Sequence, residues 1–207
     1  MLSALSKILY LKPVKAKFIS CFILVLFASC KSSSDYAPKP RGYFKIDFPK
    51  KQYTLFANIT PYSFDYPKYA KMYLDSTERG RPYWYNLTYP QFNARIHLSY
   101  YPINSEANFN ELVEDSRKLA FKHTVKATGI DEGTINIPEN NVYGIYYTIA
   151  GNTASSTQFL LTDSNKNFLR GALYFNEKPQ ADSIQPVVDF IKKDIDRLIK
   201  TLRWKNN

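Results

Sequence analysis

The hydrophobic pattern changes several times along the chain. Residues 18–26 form one continuous apolar run, residues 42–101 contain short stretches in which apolar and polar side chains alternate, and two later segments follow a 3.6-residue period. Alternation indicates strands with one buried face, whereas the 3.6-residue period indicates amphipathic helices. The pattern therefore predicts a mixed helix and sheet domain behind an apolar leader.

Early strands are predicted at residues 43–48, 62–66, 83–89 and 94–101. In the last of these, apolar side chains alternate with Arg95, His97 and Ser99, which predicts one buried face and one polar face that meets solvent or a partner. Prolines follow the first two stretches, as is common at strand ends and sheet edges. The 17 tyrosines and 14 phenylalanines of the chain also favour strands.

Two helices are predicted from the 3.6-residue period. The first covers residues 108–126, with Asn108 and Glu111 as its capping pair. The second covers residues 182–204 and accommodates Pro186 in its first turn. Its apolar stripe is expected to lie on one face of a sheet.

A run of strands separates the two helices. Short polar turns divide this run into stretches at residues 134–137, 142–150, 157–162 and 168–175. Turns of this length join antiparallel neighbours, so the last three strands are predicted to form a meander. The predicted fold is therefore a single α+β domain with a mainly antiparallel β-sheet, one middle helix and a long C-terminal helix packed on the sheet. This layout resembles that of the Mog1/PsbP-like group.

Residues 1–29 have the layout of a cleavable export signal: four lysines and no acid, then the apolar run, then small residues before Cys30. A helix over residues 18–29 would span about 18 Å against about 30 Å of hydrocarbon, which argues against a permanent transmembrane anchor. The residues Phe-Ala-Ser-Cys at 27–30 fit a bacterial lipobox. Cys30 is therefore predicted to be the lipidated first residue of the mature chain. The alternative is a plain secretory signal with an incidental cysteine.

Removal of the signal would lower the net charge from +10 to +6, because four lysines and no acids leave with it. The remaining charges form no Lys/Arg block, so nucleic-acid binding is not indicated. Cys30 would be the only cysteine left, which predicts no disulfide and no thiolate site. Residues 30–41 are predicted to be the lipidated cysteine and a flexible tether, and residues 42–207 a single domain.

Motifs that carry chemistry are sparse. The chain has no glycine-rich phosphate loop, no HExxH and no G-x-S-x-G. A serine triad would have to combine His123 with Asp115 or Asp131, and no serine lies in an elbow motif. The sequence therefore predicts no catalytic residue, no metal site and no cofactor besides a covalent lipid, and an enzyme such as a hydrolase is the weakest hypothesis.

Aromatic residues offer a second possible surface. The candidates are Tyr83, Trp84, Tyr85 and Tyr100. Such rings stack on sugars or form protein contacts, with Arg81 and Arg95 as polar anchors. The alternative is that about half of them fill the core. A glycan- or peptidoglycan-binding lipoprotein is therefore the second functional hypothesis.

Four long strings in the chain are distinctive. They are PKPRGYFKIDFP at 38–49, YSFDYPKYA at 62–70, YPQFNARIHLSY at 89–100 and EDSRKLAFKHTVKA at 114–127. They resemble the gliding-motility lipoprotein family typified by GldD in Bacteroidota, and the resemblance covers nearly the whole mature chain. It implies a non-enzymatic envelope component that is required for gliding and linked to the type IX secretion machinery, whose other proteins would be its partners.

Two of these strings contain the polar side of the 94–101 strand and the end of the middle helix. The predicted partner-binding residues are Arg95, His97, Ser99, Phe121, Lys122 and His123. Lys31 follows the cysteine where aspartate would favour the inner membrane, and residues 31–35 lack adjacent acids. The expected location is therefore the periplasmic side of the outer membrane.

Overall fold

Two antiparallel sheets and two α-helices build the domain in the computed structural model, which describes residues 45–77, 81–176 and 181–205. The strands are β1 Tyr53–Phe56, β2 Tyr62–Pro67, β3 Lys71–Leu74, β4 Tyr85–Tyr89, β5 Ala94–Pro102, β6 Ala127–Ile137, β7 Val142–Gly151, β8 Ser155–Thr162, β9 Asn167–Phe175 and β10 Arg203–Trp204. The helices are α1 Glu106–Phe121 and α2 Ala181–Thr201. The predicted α+β class is confirmed. The signal, Cys30 and the tether lie outside the described residues.

The larger sheet has seven strands in the order β3-β4-β5-β9-β8-β7-β6. The predicted meander is confirmed, since β7, β8 and β9 are antiparallel neighbours. Strand β5 is central and pairs with β9 from Ala94↔Phe175 to Pro102↔Asn167. The long β5–β9 pair therefore fixes which β5 side chains share a face with those of β9.

One face of this sheet is covered by α2 and by the smaller sheet, whose order is β1-β2-β10. The core on this side includes Phe64 from β2, Leu161 from β8 and Ile195 from α2, all fully buried. Burying one such side chain contributes about 1.5–3 kcal/mol. The predicted packing of the C-terminal helix on the sheet is confirmed.

The opposite face is covered in part by α1. Its core cluster joins Ala120 of α1 to Tyr147 of β7, Leu160 of β8 and Phe168 of β9. Neighbouring β8 residues such as Leu160 and Leu161 point to opposite faces, because side chains alternate along a strand. Strand β8 is thus buried on both sides, which explains its continuous apolar run.

Helix α1 begins at a different residue from the predicted one. Its N-cap is Ser105, whose side chain accepts a hydrogen bond from the Asn108 N–H at 3.1 Å. The Asn108 side chain in turn accepts from the Asn104 N–H at 3.2 Å. Asn108 therefore belongs to the first turn, and the predicted Asn108–Glu111 capping pair is wrong. The helix gives way to a 3₁₀ turn at Lys122–Val125.

Several strand predictions need correction. Residues 45–48 form no strand, and residues 43–44 lie outside the described part. Strands β1, β3 and β10 were not predicted, and β6 extends seven residues further towards α1 than its predicted start at residue 134. Trp204 lies in β10 rather than in the C-terminal helix, which ends at Thr201.

Helix α2 contains Pro186 in its second turn rather than in the first. Neither described helix has an apolar stretch long enough to cross a membrane.

Candidate functional site

The polar side of β5 belongs to a part of the large sheet that we call the open face. Cross-strand pairing places Tyr73 beside Asn86, Asn86 beside His97, and Arg95 beside Tyr174. Opposite residues of paired strands share a face, so these five side chains form one surface. Arg95 is exposed, Tyr73 is 52% exposed, and the other three are half-buried.

His97 is held in a defined orientation on the open face. Its Nδ1 lies 2.8 Å from Asn86 Oδ1 and 3.3 Å from Asp75 Oδ2. Because both neighbours present acceptor oxygens, Nδ1 carries the hydrogen. Asp75 is itself buried and accepts from the Thr77 hydroxyl at 2.6 Å and the Thr77 N–H at 3.0 Å. These hydrogen bonds outweigh burial and lower the pKa of Asp75. The carboxylate and the amide therefore restrain the imidazole.

The end of α1 lies on the same side of the sheet. Arg170 of β9 pairs with Ser99, two residues along β5 from His97, so its side chain shares the face of His97. Arg170 donates a hydrogen bond to Gln158 Oε1 at 2.5 Å. Burial lowers the pKa of His123, and the neighbouring charge of Arg170 lowers it further. Arg170 thus lies on the same face of the large sheet as Arg95 and His97.

The other predicted residues at the end of α1 have mixed exposure. Lys122 is exposed, whereas Phe121 and His123 are half-buried. The Arg117 guanidinium lies 4.7 Å from the centroid of the Phe121 ring. Lys122 and His123 can therefore meet a partner at this end, while Phe121 mainly packs.

Ser99 does not reach the surface. Its relative exposure is only 3%, so the prediction that it contacts a partner needs correction. It lies in the middle of a central strand, beside the aromatic residues at the end of β5. The alternating pattern correctly predicted which β5 side chains share a face with Ser99. It did not show that this face is covered at Ser99.

The predicted aromatic surface is largely buried. Trp84 is 7% exposed and Tyr100 is 9% exposed, and the Trp84 indole donates to the Tyr100 carbonyl at 2.8 Å. Tyr85 packs edge-on against Phe56 with ring centroids 5.0 Å apart. Tyr83 and Tyr85 are half-buried and keep part of their surface. The alternative, in which many of these rings fill the core, describes the structure better.

A cavity of about 960 Å³ lies where β5 ends, and we call it the end cavity. Its lining includes Arg81, Tyr83, Tyr101, Asn141, Lys166 and Lys205. Tyr83 has a positive φ of 71°, which is uncommon for a bulky residue, and its carbonyl accepts from the Tyr62 hydroxyl at 2.7 Å. The sequence pointed to Tyr83 and Arg81, but it did not show that loops distant in sequence would enclose a cavity.

The catalytic alternatives find little support in the described residues. Asp115 lies 3.6 Å from Lys118, and within the described ranges neither Asp115 nor Asp131 forms an ion pair with His123. The part of the chain that the structure describes also contains no group of three or more His, Cys, Asp or Glu side chains that could hold a metal. Sequence reasoning missed Tyr73, Asn86 and Arg170, because their position depends on strand pairing.

The described residues thus define an α+β domain that presents a polar open face and, separately, a cavity at one end of its large sheet. The chain belongs to the family of the gliding motility lipoprotein GldD, whose model matches residues 33–204. Membership implies a role in gliding motility and membrane anchoring through a lipid.

Several solved structures are similar to this chain. The chain is similar to the solution structure of cyanobacterial PsbP (CyanoP) from Synechocystis sp. PCC 6803, with a TM-score of 0.47 and 9% sequence identity over 76% of this chain and 95% of that chain. No curated protein sequence matches this chain.

Proposed function

We propose that this lipoprotein is a non-enzymatic assembly or stabilising component of the gliding and type IX secretion machinery. A covalent lipid on Cys30 holds it at the membrane, on the periplasmic side of the outer membrane. Its partners are other envelope proteins of that machinery, which it binds through the open face and the end of α1.

The observation that carries this proposal is that the two predicted surfaces lie on the same side of the large sheet. Arg95 and His97 lie on β5, and Lys122 and His123 lie far away in sequence at the end of α1. Phe168 of β9 packs against α1 and pairs with Tyr101, which shares the face of Arg95 and His97. A single partner protein can therefore contact Arg95 and His97 together with the end of α1.

The composition of the open face suits protein recognition. Tyrosine and arginine are enriched where protein interfaces concentrate their binding energy, and the open face offers Tyr73, Tyr174 and Arg95. The bonds from Asn86 and Asp75 fix His97 before binding, which lowers the entropic cost of association. The Asp75 carboxylate is buried, so the accessible charge is mainly positive and favours an acidic partner surface.

A double variant tests the placement of this surface. Arg95→Glu together with His97→Ala is expected to abolish gliding, reduce secretion and prevent capture of envelope partners by crosslinking in cells. The charge of the open face is reversed while its strand pairing is kept. Protein level and thermal unfolding of the detergent-extracted chain should be measured in parallel.

Lys50→Glu is the matched control, because Lys50 is exposed and lies outside the open face. It should glide, secrete and capture partners like the unmodified protein. If the double variant also glided, secreted and captured partners like the unmodified protein, the open face would not be the docking surface.

A further inference from the structure

The end cavity has no part in the docking surface described above. It begins beside Tyr100 and Tyr101, and Arg95 lies five to six residues earlier on the same strand. At about 3.3 Å per residue, this separates the cavity from Arg95 by about 17–20 Å. Its volume of about 960 Å³ lies within the range of small-molecule sites, about 300–1,000 Å³. The cavity can therefore hold a ligand of its own.

Tyrosines and prolines form the walls of the cavity. Tyr83 and Tyr100 meet edge-to-face with ring centroids 5.9 Å apart, and Tyr101 meets Trp84 in the same way at 5.4 Å. Pro61, Pro82 and Pro102 add rigid surface between the rings. Rings that are fixed in this way provide flat apolar faces with polar edges, which suits the C–H faces and hydroxyl groups of a sugar.

The polar part of the lining is rich in amides. Asn141, Asn165 and Asn167 line the cavity, whereas Ile103 is its only aliphatic side chain outside the prolines among the described lining residues. Amide groups donate and accept hydrogen bonds at once, as hydroxyl-rich ligands require. A peptide ligand would instead need deep apolar pockets for its anchoring side chains.

The charge of the cavity is positive. Arg81, Lys166 and Lys205 line it together with one carboxylate, that of Asp163. Asp163 Oδ1 accepts from the N–H groups of Asn165, Lys166 and Asn167 at 2.8–2.9 Å, and Oδ2 accepts from the Asn167 amide at 2.6 Å. Burial alone would raise the pKa of Asp163, but these bonds lower it. The Asp163 charge is thus compensated within its own loop.

We propose that the end cavity binds an acidic carbohydrate, a short oligosaccharide that bears carboxylate or phosphate groups. Tyr83 and Tyr101 stack on its sugar rings, and the exposed amides of Asn141 and Asn165 bond its hydroxyl groups. The lysine and arginine charges attract its anionic groups. This is a binding activity beyond docking to the gliding machinery.

Both tryptophans of the chain report on this cavity. The Arg81 guanidinium lies 4.9 Å from the Trp84 ring, and the Trp204 indole donates to the Asn141 carbonyl at 2.9 Å. Tryptophan fluorescence of the detergent-extracted full chain can therefore follow titration with defined probes. These are a short oligogalacturonate, a delipidated phosphorylated core oligosaccharide from lipopolysaccharide, neutral maltotriose and a proline-rich peptide.

A saturable fluorescence change is expected with one or both acidic sugars, and it should weaken as salt is added. The two acidic probes distinguish a uronic acid from a phosphorylated ligand. Equal binding of maltotriose would overturn the proposed preference for anions. Binding of the peptide alone, or of no probe at all, would overturn the carbohydrate assignment.

Lys166→Glu provides the matched variant. The Lys166 side chain is exposed, and its loop is held by backbone bonds that the substitution keeps. It should weaken binding of the acidic sugar about five- to tenfold, as expected when a charged contact becomes repulsive. Lys50→Glu should leave binding unchanged. An unchanged affinity in Lys166→Glu would contradict the proposed role of the charge.

The Arg95→Glu, His97→Ala double variant separates the two proposals. It should still bind the sugar, because neither Arg95 nor His97 lines the cavity. If the double variant glides normally and binds the sugar, only the docking surface is rejected. If the double variant loses gliding and the unmodified chain does not bind the sugar, only the cavity ligand is rejected.

Discussion

Asp194 lies on α2. Both of its carboxylate oxygens accept hydrogen bonds from side chains near the N-terminal end of the described residues. Oδ1 accepts from Lys51 Nζ at 2.7 Å and from the Tyr53 hydroxyl at 3.0 Å, while Oδ2 accepts from the Tyr69 hydroxyl at 2.7 Å. Burial and the bond to Asp194 raise the pKa of Tyr53 to about 12. This cluster fastens the first described segment, next to the predicted tether, to the C-terminal helix.

Asp194→Ala is expected to destabilise the domain by about 3 kcal/mol, because it leaves a partly buried lysine without its carboxylate. The loss should lie near the lower end of the usual range, since the Lys51 side chain remains 26% exposed. Denaturant unfolding followed by tryptophan fluorescence would measure it. Asp47→Ala is the control, because the Lys45–Asp47 pair is 88% and 85% exposed and should contribute little. Equal unfolding midpoints for both variants would contradict this role of Asp194.

Strands β7 and β8 depend on a close backbone approach. A β-carbon on Gly144 of β7 would overlap the carbonyl oxygen of Leu160, which belongs to the backbone of β8 and cannot rotate away. A glycine in the neighbouring strand β6 has no such close contact. A β-carbon on Gly133 of β6 would meet only the Tyr146 carbonyl oxygen, 3.9 Å away. Gly144 therefore requires the absence of a side chain, whereas Gly133 does not.

Gly144→Ala should therefore destabilise the domain by at least about 2 kcal/mol, because β7 must move away from β8. Gly133→Ala carries the same chemical change without the overlap, and should be neutral or stabilising by up to about 1 kcal/mol. Thermal and denaturant unfolding of the two variants give a direct comparison. Similar stabilities would show that the sheet tolerates a side chain at Gly144.

At the scale of the whole molecule, the predicted lipid on Cys30 would limit where the proposed binding surfaces can act. The eleven residues from 31 to 41 would reach at most about 35–40 Å when fully extended. The proposed docking surface and end cavity would then meet their ligands close to the membrane. Anchoring would raise the local concentration of the domain near membrane-bound partners.

Cys30→Ser is expected to move the protein from the membrane to the soluble fraction and to abolish gliding, because the acceptor of the lipid is lost. Cys21→Ser is the matched control, since Cys21 lies within the apolar run of the predicted signal. It should remain in the membrane and support gliding. Cell fractionation and motility on agar provide the measurements. A soluble, folded Cys30→Ser protein that still supports gliding would refute the need for the anchor.

The sequence specified the regular elements that carry a strong local pattern. Strand β5 was predicted with the correct buried residues, because Ala94, Ile96 and Leu98 alternate with polar neighbours. Helix α2 was predicted from its stripe, in which Ile191 and Ile195 recur once per turn. Strands β1, β3 and β10 have only two to four residues, too few for a period to be visible. Strand β10 also pairs with β2, which is far away in sequence.

The candidate sites depended more on tertiary structure. The alternation along β5 identified Arg95 and His97, but Ser99 and Trp84 are buried because elements distant in sequence cover them. The placement of α1 on the same side of the sheet as Arg95 and His97 depended on the pairing of β9 with β5.

By itself, the sequence determined the predicted export and lipidation site, the family resemblance, the α+β class and the faces of the long elements. These properties are encoded locally, by side-chain type and spacing within one segment. Tertiary structure alone decided which polar residues stay exposed, that the open face and the end of α1 lie on the same side of the sheet, and that separate loops line the end cavity. Such properties arise from pairing and packing between distant segments, and no local period records them.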